Sequence, residues 1–553
     1  MSHFPFHSSE SPSWFARHTP KHTGMNFDHD VVIVGGGPSG LATAAELAHH
    51  GIASVLIEPR TSVAHDRPRA KTTSIRTMEH FRRWGIAHAI RDRAEIKPAW
   101  SQRVVFCDNA NGSIITEFDH AFGLSAEPLD FAAETSQQIP QPVVEDVLRE
   151  HLLDTGLVDF RLGCRVIAII EHDEFVHVTV EGSNAAEEAL TARFVIGCDG
   201  GWSPTRESIG ASLSGTSAPH ANLNVVFTAP RLRPAVGDAV HYWAVGAATP
   251  GALGPLDHAG RWWASLAAAG DITDPAQVKR LIADLVGLPE TDFDAEIHSM
   301  DAWTPRMLLA DRFASQRVFL VGESAHLNPP FGGHGFNTCV GDAVNIGWKL
   351  AAVIAGWGGR GLLESYEHER RHIAQETIES AATNLRASGL AIARTPGALQ
   401  ETKAEEFYSL GLVLGYSYAQ SPVVATGPTD ADRDVRHYRP SFVPGARLPH
   451  RWMDPNRSLY DLLGKGYSLL IPHGDESAAV SSLVQECRRR SIPLSLVPVT
   501  PAATGAPGQF VLVRPDQHIA WVGRDPTEID LRVVSGHLNT TAKPVTDRPA
   551  GRA

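Results

Sequence analysis

The chain has 553 residues, which at roughly 150 residues per domain gives room for three or four domain-sized units. Hydrophobic residues make up 43% and charged residues 20%, a globular composition that excludes a disordered, collagenous or coiled-coil chain. Its 49 Lys+Arg against 62 Asp+Glu give a net charge of −13 with no basic stripe, which argues against a nucleic-acid partner.

No run of about 18 apolar residues is present, so no membrane-spanning helix is expected. Residues 1–24 are polar, carry three prolines and lack the apolar core of a signal peptide. They read as part of a disordered tail over 1–27, or as an upstream extension of a protein starting at Met25. The five cysteines, at 107, 164, 198, 339 and 487, form no CxxC. With the 27 scattered histidines they suggest neither a disulfide framework nor a metal site. The expectation is a cytoplasmic protein with reduced thiols, no metal and no membrane partner.

The β-branched run Asp30–Gly35 reads as a buried parallel strand. A helix follows over Leu41–His50, closed by Gly51, and then a strand over Ala53–Ile57. Residues 74–90 and Val143–Leu153 read as helices. Short strands are expected over Phe160–Ile170, Val176–Glu181 and Phe194–Gly197. A mixed sheet follows, with strands Asn222–Thr228, Ala239–Val245 and Arg261–Ala267 and a helix over Ala276–Val286. Phe319–Gly322 is a return strand, and the 3.6-residue spacing of Val340, Val344, Gly347, Ala351 and Ile354 predicts a helix from Thr338. After a helical, linking stretch, Pro444 opens a separate α/β unit. Its expected strands are Tyr467–Ile471, Leu494–Val499, Gln509–Val513 and Ile519–Val522, with a helix within Glu476–Arg490.

Gly35-Gly36-Gly37-Pro38-Ser39-Gly40 fits GxGxxG between a strand and a helix, with Glu58 at the tip of the next strand. Bare glycines let a backbone approach a pyrophosphate, and a helix N-terminus supplies N–H groups and positive partial charge. Gly35, Gly37, Pro38, Ser39 and Gly40 are therefore candidate dinucleotide contacts. Glu58 would accept hydrogen bonds from a ribose, with Arg60 beside it. Two further blocks carry chemistry: Gly197–Arg206, and Gly322–Asn337, which runs into the long helix. In the second, Pro329-Pro330 stiffens the chain, and Gly332, Gly333 and Gly335 leave room for a flat ring to stack on the backbone.

Together these blocks resemble the FAD-dependent aromatic hydroxylases, the group A flavoprotein monooxygenases. The tail, through Pro444–His450, Leu459–Leu463 and Val511–Asp516, resembles the thioredoxin-like tail of the phenol-hydroxylase type. The resemblance implies an α/β fold with a Rossmann-like FAD-binding domain of the glutathione-reductase type over 28–210 and 300–400. This would be interleaved with a mixed-sheet substrate domain over 95–135 and 211–299. A linker over 401–440, the thioredoxin-like unit over 441–535 and a frayed tail over 536–553 complete the expected organisation. FAD is the implied cofactor and NADH or NADPH a transient co-substrate. The implied reaction is hydroxylation of a phenolic or polycyclic aromatic ring by dioxygen through a flavin C4a-hydroperoxide. A homodimer is a possible assembly.

By the same resemblance Arg69, Gln141, Asp199, Gly322, Glu323, Pro329, Gly332, Gly335, Phe336 and Asn337 are further FAD contacts. Glu323 stands where the family usually has Asp, and the usual GQG or GFG step is Gly333-His334-Gly335 here. Arg206 either pairs with Asp199 or meets a cofactor phosphate, and His326 reads as a structural cap. The ring would lie between flavin and sheet, near His241, Tyr242, Trp243, Trp262, Trp263 and Trp303. His241 and Tyr242 are candidate bases, and Pro330 and His334 candidate reaction-side residues. The alternatives are Baeyer–Villiger insertion or epoxidation on the same scaffold, a non-oxygenating flavoprotein oxidoreductase, and a flavin binder without catalysis.

Overall fold

The computed structural model describes residues 27–67, 71–389, 395–428, 433–475 and 477–538. Met25, Arg69 and most of the two expected tails lie outside the described residues. Residues 536–538 are described and folded: Gly361 N donates to Gly536 O at 2.9 Å and His537 N to Arg532 O at 2.7 Å.

The apolar run near the start of the chain forms the strand His29–Val34 at the heart of a seven-stranded sheet. It pairs in parallel with Ser54–Glu58 and Glu187–Gly197. Val158–Leu162 extends one side, and Val318–Leu320 pairs with Glu187–Gly197 on the other. The helices Pro38–His49 and His334–Ile354 pack together beside this sheet. A Cβ on Gly347 would lie 2.6 Å from Glu46 Cγ, so glycine there is what lets the two helices approach.

A second seven-stranded sheet runs Glu296–Trp303, Asn222–Thr228, Arg261–Leu266, Gly251–Pro255, His241–Ala244, Val104–Cys107, Ile114–Phe118. The last two strands come from the first third of the chain, and Val104–Cys107 pairs in parallel with His241–Ala244. The helix Pro275–Val286 buries Val278, Ile282, Leu285 and Val286 against one face, with Leu223, Val225, Phe227, Tyr242, Leu253 and Trp262. The opposite face looks toward the glycine-rich loop at 329–335.

The C-terminal α/β unit has strand order Leu494–Val499, Tyr467–Pro472, Phe510–Val513, Ile519–Gly523, with the helix Ala478–Arg489. It docks through buried charge: Arg514 donates to Glu369 at 2.7 and 2.8 Å, and Arg447 pairs with Glu79. Among the described residues no helix is long and apolar enough to cross a membrane.

Several elements differ from the periodicity reading, each for a local reason. The expected 74–90 helix is two helices, Ile75–Arg83 and Ala87–Arg93, because Gly85 adopts φ +83° between them. Phe160–Ile170 is two strands, Val158–Leu162 and Arg165–Glu171, turning at Gly163 with φ +73°. The helix expected from Thr338 begins at His334, because Gly333 in the left-handed region serves as its N-cap. Gly335, Phe336 and Asn337 are thus helical. The stretch read as helical and linking does hold helices, Pro396–Phe407 and Leu410–Leu414, which bury Phe407 and Leu414.

Candidate active site

Each glycine of the first turn has its own reason. Gly35 has φ +103° and donates its N–H to Ile57 O at 2.8 Å, turning the chain off the sheet. A Cβ on Gly40 would collide with the Gly35 carbonyl, and one on Gly36 would lie 2.8 Å from Glu58 Cβ. Gly37 differs: a Cβ there would meet only Arg60 Nη2, at 4.0 Å. Gly37 is the N-cap of the Pro38–His49 helix, and no side chain caps it. The first-turn N–H groups of Ser39 and Gly40 thus face an open approach at the positive end of a helix, and Pro38, which has no N–H, leaves no donor unused at its first position.

Glu58 Oε2 accepts from Gly36 N at 2.6 Å, and Oε1 accepts from Arg60 N at 2.9 Å and Arg60 Nε at 2.7 Å. Burial alone would raise this carboxyl, but these donors hold it below its ordinary value. Arg60 also lies 3.8 Å from Glu145, which accepts from Gln141 Nε2 at 2.8 Å. Glu58, Arg60 and Gln141 therefore belong to one polar chain beside the glycine turn. Asp199 adjoins Gly35, with its oxygens engaged by Ser203 Oγ, Thr205 N at 2.9 Å and Thr205 Oγ1 at 2.7 Å. Arg206 turns away from Asp199 and donates to Ser324 O at 3.0 Å and Gly201 O at 2.9 Å.

The second glycine-rich block hangs from the Val318–Leu320 strand. Gly322 has φ +70° and donates to Asp342 Oδ2 at 3.2 Å. Glu323 is exposed, Pro329 is buried and Pro330 is exposed. Gly332 and Gly333 are left-handed, at φ +102° and +70°. Asn337 pins the loop: it accepts from Ser74 N at 2.8 Å and Thr77 Oγ1 at 2.7 Å, and donates to Thr72 O and Gly333 O. Phe336 packs its ring against the core of the first sheet. His334 heads the long helix, buried, with Nε2 unpartnered, and burial lowers its pKa to about 4. It is therefore neutral at pH 7.

Strand alternation sorts the residues of the second sheet. His241, Trp243 and Trp263 share the face turned toward the 329–335 loop. Trp243 stacks on Phe106 at 5.8 Å and 5°, and lies 6.0 Å from Phe331 of the loop. His241 meets Trp263 edge-on at 5.2 Å and Phe122 at 5.4 Å. Tyr242 and Trp262 point into the opposite core. The Tyr242 hydroxyl accepts from Ala239 N at 2.8 Å and donates to Gly237 O at 2.7 Å. Tyr242 is thus no base of this site, because the strand's two-residue period turns it away. Trp303 donates to Asn224 Oδ1 at 2.7 Å near the sheet's edge.

Two residues of the site escaped sequence reasoning. Asn328 has both amide atoms buried and unpartnered, and its Cβ would lie 4.0 Å from a Cβ built on Gly335. Its place between Leu327 and Pro329, inside the second glycine-rich block, was a usable signal. Lys71 donates to Val240 O at 2.8 Å and Pro255 O at 3.1 Å. Nothing local marks it, since its partners lie 169 and 184 residues away.

These residues fit a flavin dinucleotide. Two helix N-termini carry no side-chain cap, Gly37 offers an open approach, Glu58 is aligned behind it, and the buried Asn328 amide has hydrogen-bonding capacity unused within the chain.

Comparison with known proteins agrees. A family model described as FAD binding domain matches residues 28–381, and one described as aromatic-ring hydroxylase, C-terminal, matches residues 441–549. The chain is 30% identical to the FAD-dependent monooxygenase apdD of Emericella nidulans, over 89% of this chain and 87% of that protein. It is 31% identical to a putative polyketide hydroxylase of Streptomyces halstedii, over 92% and 96% of the two chains. Among solved structures, the rebeccamycin biosynthetic enzyme RebC with reduced flavin superposes with a TM-score of 0.82 at 30% identity, covering 92% of this chain and 99% of that one.

Proposed function

Because the chain belongs to the FAD-binding aromatic-ring hydroxylases and is a flavoprotein monooxygenase, we propose that it uses NADH or NADPH and dioxygen to hydroxylate a phenolic or polycyclic aromatic ring. The observation that carries this reading is the aromatic face of His241, Trp243 and Trp263 set against the 329–335 loop, with Trp243 and Phe331 6.0 Å apart. Flat aromatic walls bind flat rings through stacking and area burial. The relative named as a polyketide hydroxylase supports a substrate larger than a single phenol.

FAD, when bound, supplies the two-electron chemistry that takes reducing equivalents from the nicotinamide nucleotide and activates dioxygen. The chain's own residues have four tasks. Gly37, the N–H groups behind it and Glu58 hold the dinucleotide. The N-terminus of the His334–Ile354 helix offers positive partial charge at the loop, which favours an electron-rich group there. Phe122, Phe331 and Phe407 pack around the aromatic face and exclude water from it. His241 and His334 are neutral imidazoles with buried, unpartnered Nε2 atoms, so either can exchange a proton with a ring hydroxyl.

The test is a visible spectrum of the purified protein, followed by NAD(P)H oxidation with phenols and then fused polyphenols. Bands near roughly 370 and 450 nm, ring-stimulated NAD(P)H oxidation and one ¹⁸O atom from ¹⁸O₂ in the product are expected. NMR of that product separates hydroxylation from ring insertion or epoxidation. Oxidised product without ¹⁸O would make the protein a non-oxygenating oxidoreductase and overturn the reading.

A further inference from the structure

Lys71 is a buried amine without a counter-charge. Its Nζ donates to two backbone carbonyls, Val240 O at 2.8 Å and Pro255 O at 3.1 Å, and lies 5.6 Å from the centre of the Trp263 ring. Among the described residues no carboxylate pairs with it, whereas Lys349 and Lys403 are each 2.7 Å from a glutamate. Burial pushes the Lys71 amine well below the ordinary lysine range, a shift that an anion within reach would reverse.

Two more polar groups flank the same place. A Cβ on Gly254 would stand 3.0 Å from Lys71 Nζ and 3.0 Å from Trp263 Nε1. Glycine at 254 therefore leaves room for both. Trp263 Nε1 is buried and has no acceptor, and indole N–H can only donate. His241 Nε2 is likewise buried and unpartnered, on a ring 5.2 Å from that of Trp263. A buried polar group left unpaired costs about 1–3 kcal/mol, so unmatched groups at one spot mark where a ligand atom belongs.

We infer that Lys71, Trp263 Nε1 and His241 form an oxyanion subsite that holds an anionic oxygen substituent of the aromatic substrate, either a ring carboxylate or an ionised acidic hydroxyl. This rests on the ring-binding role given above to the His241–Trp243–Trp263 face. The subsite fixes which edge of the ring is anchored, and so which carbon is presented for oxygenation. It also selects acidic rings over neutral ones of the same shape.

The test is equilibrium binding to the oxidised FAD holoenzyme of three probes of one shape: anthraquinone, anthraquinone-2-carboxylate and alizarin. Wild type binds at least one of the two acidic probes tighter than anthraquinone, and bound alizarin shows the absorbance of its anion. Lys71→Met weakens the acidic probes at least about tenfold and leaves anthraquinone unchanged, the range expected for a charge-assisted hydrogen bond. Trp263→Phe keeps the ring but removes the N–H, and weakens the same probes by a smaller factor; it serves if Lys71→Met does not fold. Preference for anthraquinone-2-carboxylate identifies a carboxylate, and preference for alizarin an ionised hydroxyl. Equal binding of all three probes to wild type, or an acid preference retained in both variants, overturns the subsite. The monooxygenase reading fails separately, by oxidised product without ¹⁸O.

Discussion

His326 Nε2 lies 2.7 Å from Asp342 Oδ2, joining the second glycine-rich block to the long helix that follows it. Arg370 Nε donates to the other oxygen of Asp342 at 2.7 Å, and Gly322 N donates to Oδ2 at 3.2 Å. All three side chains are buried. His326, expected to be a structural cap, is thus one arm of a carboxylate hub that sets where the loop begins. Asp342→Asn leaves the Arg370 charge uncompensated. A loss of about 3–5 kcal/mol in thermal unfolding and release of FAD on gel filtration are expected.

The same hub has a pH signature. Burial would raise the Asp342 carboxyl, but Arg370 and His326 hold it below its ordinary value. A carboxyl depressed in the folded state adds stability that is full above its unfolded value of about 4 and is lost as pH falls through the folded one. Melting temperature followed downward from pH 5 should fall less steeply in Asp342→Asn than in wild type.

Gly40 and Gly37 separate folding from binding. Gly40→Ala drives a methyl into the Gly35 carbonyl and should abolish soluble holoenzyme. Gly37→Ala has φ −76° and open space, so it should fold with a wild-type melting temperature as apoprotein. In the proposed binding mode its methyl stands in the pyrophosphate's approach, so FAD affinity should drop about tenfold or more by fluorescence titration.

Tyr242 and His241 should behave oppositely. Tyr242→Phe removes two backbone hydrogen bonds in the core and should cost about 1–2 kcal/mol in denaturant unfolding, with little change in turnover. His241→Leu removes an unpartnered nitrogen and should change stability little, while lowering kcat/KM for ring hydroxylation.

Much of the nucleotide side was legible because its signals are local. A strand, three glycines with distinct steric duties and Glu58 lie within 30 residues, so spacing alone locates them. The face of a strand was legible in principle, yet His241 and Tyr242 were both taken for the site although the two-residue period allows only one. Lys71 was out of reach, because its meaning comes from carbonyls that a distant hairpin brings to it. The start of the long helix was missed for a different reason. Glycines at 332, 333 and 335 look like loop, and a left-handed glycine far more often follows a helix than starts one, yet Gly333 at φ +70° is the N-cap here.

Ribosomal synthesis gives the buried ion pairs an order in time. Glu79 leaves the tunnel 368 residues before Arg447, the cation that clasps it, and Glu369 waits 145 residues for Arg514. Until the final quarter of the chain is made, both carboxylates lack a principal counter-ion, and the nucleotide-binding half remains unfinished. The tail without redox cysteines is then a late-arriving clasp for everything upstream. A chain cut before it would strip two helix-borne acids, Glu79 and Glu369, of their guanidinium partners, so a truncated chain is expected to yield no soluble holoenzyme.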